Sequence, residues 1–281
     1  MKKILSVLMA AGMAFSLAAC AGGASSSEAA STESEAASSE AASSEAASSE
    51  AASSEAATAE AASGTVLSHD EYMAADLDSQ VTIEAYVQAK QAWYAEQSTA
   101  TVYLQDQDGA YFAYDMACSE EDYDKLTEGT CIRVTGFKSE WSGEVEIVDG
   151  TFEFVDGADT FVAEPLDVTE LLGTDELIDH QNELVAFKGL TVEPSTDGNG
   201  NEAAFLYKDN GSGTDGDDLY FNVSSNGQTY TFTVESYLCD NTTDVYNAVK
   251  NLQIGQTIDA EGFLYWYEGA NPHITSVTVV G

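Results

Sequence analysis

Three histidines, four cysteines and a dense set of carboxylates are the groups in this 281-residue chain that could do chemistry. His69, His180 and His273 stand in no His-Glu-x-x-His or similar zinc-ligand spacing. A Gly-x-Ser-x-Gly elbow, a phosphate-cradling Walker loop and a dinucleotide glycine fingerprint are all absent. Carboxylates are so numerous, 49 Asp and Glu, that closeness in sequence singles none of them out. The reading is therefore a non-enzymatic protein, with a hydrolase of unfamiliar type as the remote rival.

Acidic runs interrupted by glycine suggest one ion, calcium, which takes oxygen ligands in flexible loops. Asp106 and Asp108 in Asp-Gln-Asp-Gly, and Asp215 and Asp217 in Asp-Gly-Asp-Asp, are the weak candidates. A third run, 197–208, fails the EF-hand pattern because Glu202 occupies the glycine position and Lys208 the terminal glutamate position. Turn-forming sequence explains these runs as well, and no other cofactor is suggested. Cys118 and Cys131 flank a short predicted helix and are the candidate disulfide, worth about 3 kcal/mol for a loop of that length. Cys239 is left over.

Aromatic residues are the better candidates for contact with a ligand. Trp93, Tyr94, Tyr103, Tyr111, Tyr114 and Trp141 gather in one stretch, and Tyr207, Tyr220, Tyr265, Trp266 and Tyr267 in another. Rings of this kind stack on sugar faces while carboxylates accept hydroxyl hydrogens, and protein partners use the same residues as anchors. The ligand candidates are Trp93, Tyr103, Tyr111, Tyr114, Trp141, Tyr265, Trp266 and Tyr267. Strand alternation requires about half of such rings to be packing residues.

The elements that carry these rings come in two sets. Leu126, Gly129, Ile132, Gly136, Phe137 and Gly143 return as Leu252, Gly255, Ile258, Gly262, Phe263 and Gly269, a constant offset of 126 from Leu126 to Leu252. In the first set Ser68 and Glu71 form a capping box for a short helix. Alternating Val81, Ile83, Ala85 and Val87 predict a strand, followed by strands over 101–105 and 110–116 around an Asp-Gly turn. A helix capped by Ser119 and two strands, 131–138 and 144–154, complete it. In the second set the segment 188–191 answers 84–87 at an offset of 104, so 22 extra residues (126 less 104) must lie between that strand and the shared glycine. Gly-, Asn- and Asp-rich stretches 195–201 and 209–218 and an added hairpin over 219–234 are where they fall, and any divergence between the copies is expected there.

Strand, strand, strand, helix, strand, strand, with a glycine interrupting strand four, resembles the OB-fold, a five-stranded Greek-key barrel. That resemblance implies a mainly β fold class: two consecutive OB-fold-like barrels, 65–162 and 163–281, each with a helix between strands three and four. It also implies a ligand on the outer face of strands two and three.

The N-terminal part carries an address. Lys2 and Lys3, an apolar run over 4–14 and then Leu17-Ala18-Ala19-Cys20 resemble the signal peptide and lipobox of bacterial lipoproteins. The resemblance implies removal of 1–19, a lipid on Cys20 and anchoring to the cell membrane at its extracytoplasmic face. Residues 20–64 then repeat Ala-Ala-Ser-Ser-Glu, a spacer composition unable to build a core. Nine Lys and Arg against 49 acidic residues give a formal net charge of −40. On that ground the partner expected is a neutral glycan or an envelope protein, and nucleic acid is excluded because its recognition rests on cations at phosphates. The whole reads as a surface lipoprotein acting as a binding module, with a structural or assembly protein of the envelope as the alternative.

Overall fold

The computed structural model describes residues 64–281, so the lipobox, Cys20 and most of the spacer lie outside the described residues. Helix α1 (His69–Ala74) opens the folded part on the expected capping box: Ser68 Oγ accepts from the Glu71 N–H and Glu71 Oε2 from the Ser68 N–H. Strands β1 (Gln80–Lys90), β2 (Thr99–Gln105) and β3 (Ala110–Ala117), helix α2 (Glu120–Lys125), and strands β4 (Cys131–Trp141) and β5 (Glu144–Phe154) then close a barrel in the order β1-β2-β3-β5-β4. The β3–β5 pairing is parallel and the others antiparallel.

A second ring repeats this. Strands β6 (Leu184–Glu193), β7 (Leu219–Ser225) and β8 (Gln228–Val234), helix α3 (Asp244–Lys250), and strands β9 (Thr257–Phe263) and β10 (His273–Val279) close as β6-β7-β8-β10-β9, again with the third and fifth strands parallel. The fold class is therefore two tandem OB-fold-like barrels. Register shows the equivalence directly: Val81 pairs with Gly136, and Val185 with Gly262. These pairs differ by 104 on the first strand and 126 on the fourth, which is the inserted length read from the sequence.

Both glycines are there for close approach. A Cβ on Gly136 would stand 2.8 Å from the Val148 carbonyl oxygen, and one on Gly262 would stand 2.2 Å from that of His273. In each barrel the pairing of fourth with fifth strand slips at the glycine, so strand five lies against its bare backbone.

Each barrel fills its interior with its own side chains, Val81, Ile83, Leu104, Met116 and Ile132 in the first and Phe187, Leu190, Phe221, Phe232 and Ile258 in the second. A third apolar cluster joins them. Tyr103 and Phe112 from the outside of β2 and β3 pack on Phe263 of β9, with Leu184 and Tyr265 around them. Tyr103 stacks on Phe263 at 4.3 Å between ring centroids and 16° between planes. Both faces of β2 are consequently buried, and its pattern from Thr99 to Leu104 shows no exposed position.

Candidate ligand cleft at the barrel junction

Polar contacts lock the junction as tightly as the rings do. The Tyr103 hydroxyl lies 2.7 Å from His273 Nδ1, the Trp266 N–H donates to Glu144 Oε2 at 2.8 Å, and Gln181 Nε2 donates to the Gly143 carbonyl at 2.8 Å. Burial pushes the Glu144 carboxyl up to about 8 and its neighbour Glu146 to about 7, and it pushes His273 down to about 3. His273 is thus neutral. Its Nδ1 shares a single hydrogen bond with the Tyr103 hydroxyl, and its Nε2 is bonded to no described residue.

Beside this joint runs a cleft in two compartments that share Glu235, Tyr265 and His273 as a common wall. The first, of 580 Å³, lies between the outside of β3, the 91–94 loop and the second barrel; Trp93, Tyr94, Tyr114 and Tyr237 supply its rings and Asp115 a carboxylate. The second, of 710 Å³, covers the outside of β7 and β8, with Tyr220, Tyr230 and Thr231 as floor and Trp141 and Tyr267 at its rim. Asp209, Asp218 and Glu268 complete it. Tyr265 stacks on the His273 ring at 4.3 Å and presents its other face between the compartments.

The expected site residues divide accordingly. Trp93, Tyr114, Trp141, Tyr265 and Tyr267 line the cleft. Tyr103 and Tyr111 do not: Tyr103 is spent on the joint, and Tyr111 is buried beside Tyr72 inside the first barrel, its hydroxyl donating to Asp106. Trp266 packs on the second core, with its indole against Gly143. The strand-two and strand-three face expected to hold a ligand is therefore covered in the first barrel at Tyr103, borders the first compartment at Tyr114 and Asp115, and is open in the second barrel. Sequence reasoning passed over Glu235 and Tyr237, which sit beyond β8 where no periodic pattern marks them, and weighed His273 only as a histidine in no metal-ligand spacing. Asp209 and Asp218 belong to the inserted segment in which divergence was expected.

The calcium candidates are engaged otherwise. Asp106 accepts from the N–H groups of Asp108 and Gly109 and closes its own turn; Asp215 pairs with Lys250 and Asp217 with Lys208. Among the described residues no group of three or more His, Cys, Asp or Glu side chains is placed to hold a metal ion. Cys118 and Cys131, the candidate disulfide, are free buried thiols, as is Cys239. Cys118 Sγ instead points to the Ser119 carbonyl at 3.4 Å.

No protein-family model and no curated protein matches the chain. Solved structures of similar fold include a murine DNA-binding protein bound to double-stranded DNA, 10% identical over 72% of this chain and 96% of that one, with a TM-score of 0.35. The Ifi202 HINa domain in complex with 20-bp double-stranded DNA is 12% identical over 73% and 96%, TM-score 0.32. A replication protein A heterotrimer bound to single-stranded DNA is 15% identical over 70% and 50%, TM-score 0.27. The likeness is one of fold alone. It corrects the exclusion of nucleic acid drawn above from net charge, since structures similar to this chain are found on DNA. Net charge sums the whole chain, the spacer's glutamates included, whereas contact with a phosphate backbone is decided locally.

Proposed function

We propose that the chain is a non-enzymatic binding module held by a lipid on Cys20 at the outer face of a membrane, and that it takes a glycan chain in the cleft at the barrel junction. The observation that carries this is the row of half-exposed rings, Trp93, Tyr114, Tyr265 and Tyr267, set beside carboxylates and the Nε2 of a neutral His273. Flat rings bind the apolar faces of sugars, and mixed donors and acceptors bind their hydroxyls. Two compartments in line suit a chain of several sugar units. Glu235, the one carboxyl facing both, accepts from the N–H groups of Tyr237 and Leu238 on its two oxygens. It thereby holds its own loop at the wall between the compartments. The envelope-protein alternative would use the same rings as anchors.

Calorimetric titration of the full chain with neutral oligosaccharides, amino-oligosaccharides, single- and double-stranded oligonucleotides and isolated envelope proteins tests the reading. Saccharide binding that Tyr265→Ala abolishes is expected. Binding of oligonucleotides unaffected by substitutions in the cleft would replace it. For the anchor, Cys20→Ser should move the protein from the membrane fraction to the soluble one.

A further inference from the structure

The charges around the cleft narrow its ligand further. Asp115, Asp209, Asp218, Glu235 and Glu268 line the two compartments, and no Lys or Arg does. All seven Lys and Arg among the described residues already have partners: Arg133 pairs with Glu84 and Glu153, Lys125 with Glu121 and Asp122, and Lys188, Lys208 and Lys250 with Asp167, Asp217 and Asp215. Lys90 and Lys138 are tucked against backbone carbonyls, the first on Tyr123 and the second on Met73 and Ala75. The acidic wall therefore has no counter-ion of its own. Its field is felt at Tyr220, whose hydroxyl is pushed up to about 12 by burial and by Asp218 and Asp209.

Two features independent of the acidic wall point to what enters. His273 is 6% exposed and lines both compartments, and its Nε2 makes no hydrogen bond to any described residue, so a polar nitrogen there is open to a hydroxyl of the ligand. Trp141 and Tyr267 stand at the rim with their rings 53% and 46% exposed, and aromatic faces attract cations as well as sugar rings. A ligand that offers a hydroxyl to His273, flat faces to the rings and positive charge to the carboxylates meets all three.

Resting on the glycan reading above, we propose that the cleft selects an amine-bearing glycan, a chain of sugars whose amino groups are unacetylated and protonated. The amine lies against the ring faces and carboxylates of the larger compartment, and a sugar hydroxyl pairs with His273 Nε2. Asp209 comes from the segment that the first barrel lacks, so the selectivity was added with the insertion.

Calorimetry of the full chain with a glucosamine trimer and with the N-acetylglucosamine trimer separates the two layers of the argument. The amine form should bind roughly tenfold or more tightly, and this margin should shrink at high salt. Equal or tighter binding of the acetylated trimer overturns the selectivity and leaves the glycan reading standing, whereas binding of neither trimer overturns both. Asp209→Asn and Glu268→Gln are exposed changes outside the cores. Each should weaken the amine form about two- to fivefold and the acetylated form less, narrowing the margin between them. Unaltered binding of the amine form by both variants would place the amine elsewhere and sink the proposal.

Discussion

Trp141 and Tyr267 are equivalent residues of the two barrels, 126 positions apart in a chain whose repeat is 126, and their rings pack together at 5.0 Å and 36°. Each stands at the hairpin tip between the fourth and fifth strands of its barrel, Trp141 as the last residue of β4 and Tyr267 four residues beyond the end of β9. The two residues that follow each, Ser142 and Gly143 or Glu268 and Gly269, all have positive φ, and the Glu268 N–H donates to the Ser142 carbonyl at 2.8 Å. The same hairpin tip, used twice, meets itself. Trp141→Ala should therefore remove an exposed stack at a cost of about 0.5–1.5 kcal/mol in thermal or urea unfolding while weakening ligand capture at the rim. A loss above several kcal/mol would mean that the ring is structural.

The joint itself should be expensive to disturb. Phe263→Ala removes a buried ring from between two barrels and should cost about 3–5 kcal/mol in equilibrium unfolding, comparable with an interior phenylalanine. Tyr103→Phe keeps the packing and leaves His273 Nδ1 buried without its hydrogen-bond partner, a cost of about 1–3 kcal/mol. Near-neutral behaviour of both variants would show that the barrels do not depend on their contact.

Acidity should stabilise the fold. Glu144, Glu146 and Glu235 are raised by burial to about 8, 7 and 7, so above pH ~4.5 the folded state keeps protons that the unfolded chain releases. Their contribution is full below about 4.5 and is lost as pH rises through 7 to 8. His273, lowered to about 3, acts in the opposite sense, its contribution being full above about 6.5 and lost on acidification. Between pH 6.5 and 8 only the carboxyl effect operates, and the melting temperature should fall as pH rises. Glu144→Gln should flatten that slope, and a melting temperature that is level or rising across the window would refute the burial argument.

Thiol chemistry discriminates between the disulfide expectation and the structure. Burial pushes Cys118 and Cys239 up to about 11 and raises Cys131 as well. The Cys20→Ser protein should accordingly react slowly with a thiol reagent when native and yield three thiols on denaturation without reductant. Recovery of a single thiol would restore the Cys118–Cys131 bond.

Alanine at the paired glycines tests the duplication. Gly136→Ala and Gly262→Ala each push a methyl into the backbone of strand five and should cost upwards of about 1–3 kcal/mol, the second more because its contact is closer. Tolerance of either would break the equivalence.

Much of this was legible in the sequence because it is local. Ser68 with Glu71, Ser119, the glycines of the repeat and the 22-residue excess each act within a few residues of where they stand. The seam was not. Tyr103 meets Phe263 across 160 positions (263 less 103), and a strand alternating rings with small residues reads the same whether its outer face meets water or another barrel. Hence Tyr103 was taken for a ligand ring and His273 for an isolated histidine, while the carboxyls Glu144 and Glu235 had nothing to mark them among 49.

The seating of Tyr103 against Phe263 also constrains how the two copies can change with time. A duplicated domain ordinarily frees one copy to drift while the other keeps the ancestral task. Here the outer face of one copy's second strand has become the socket for the other's fourth, so an altered ring on either side demands an answering change on its mate. The halves are bound to evolve as a couple, and the room left for novelty is the inserted segment that borders the cleft without entering the socket.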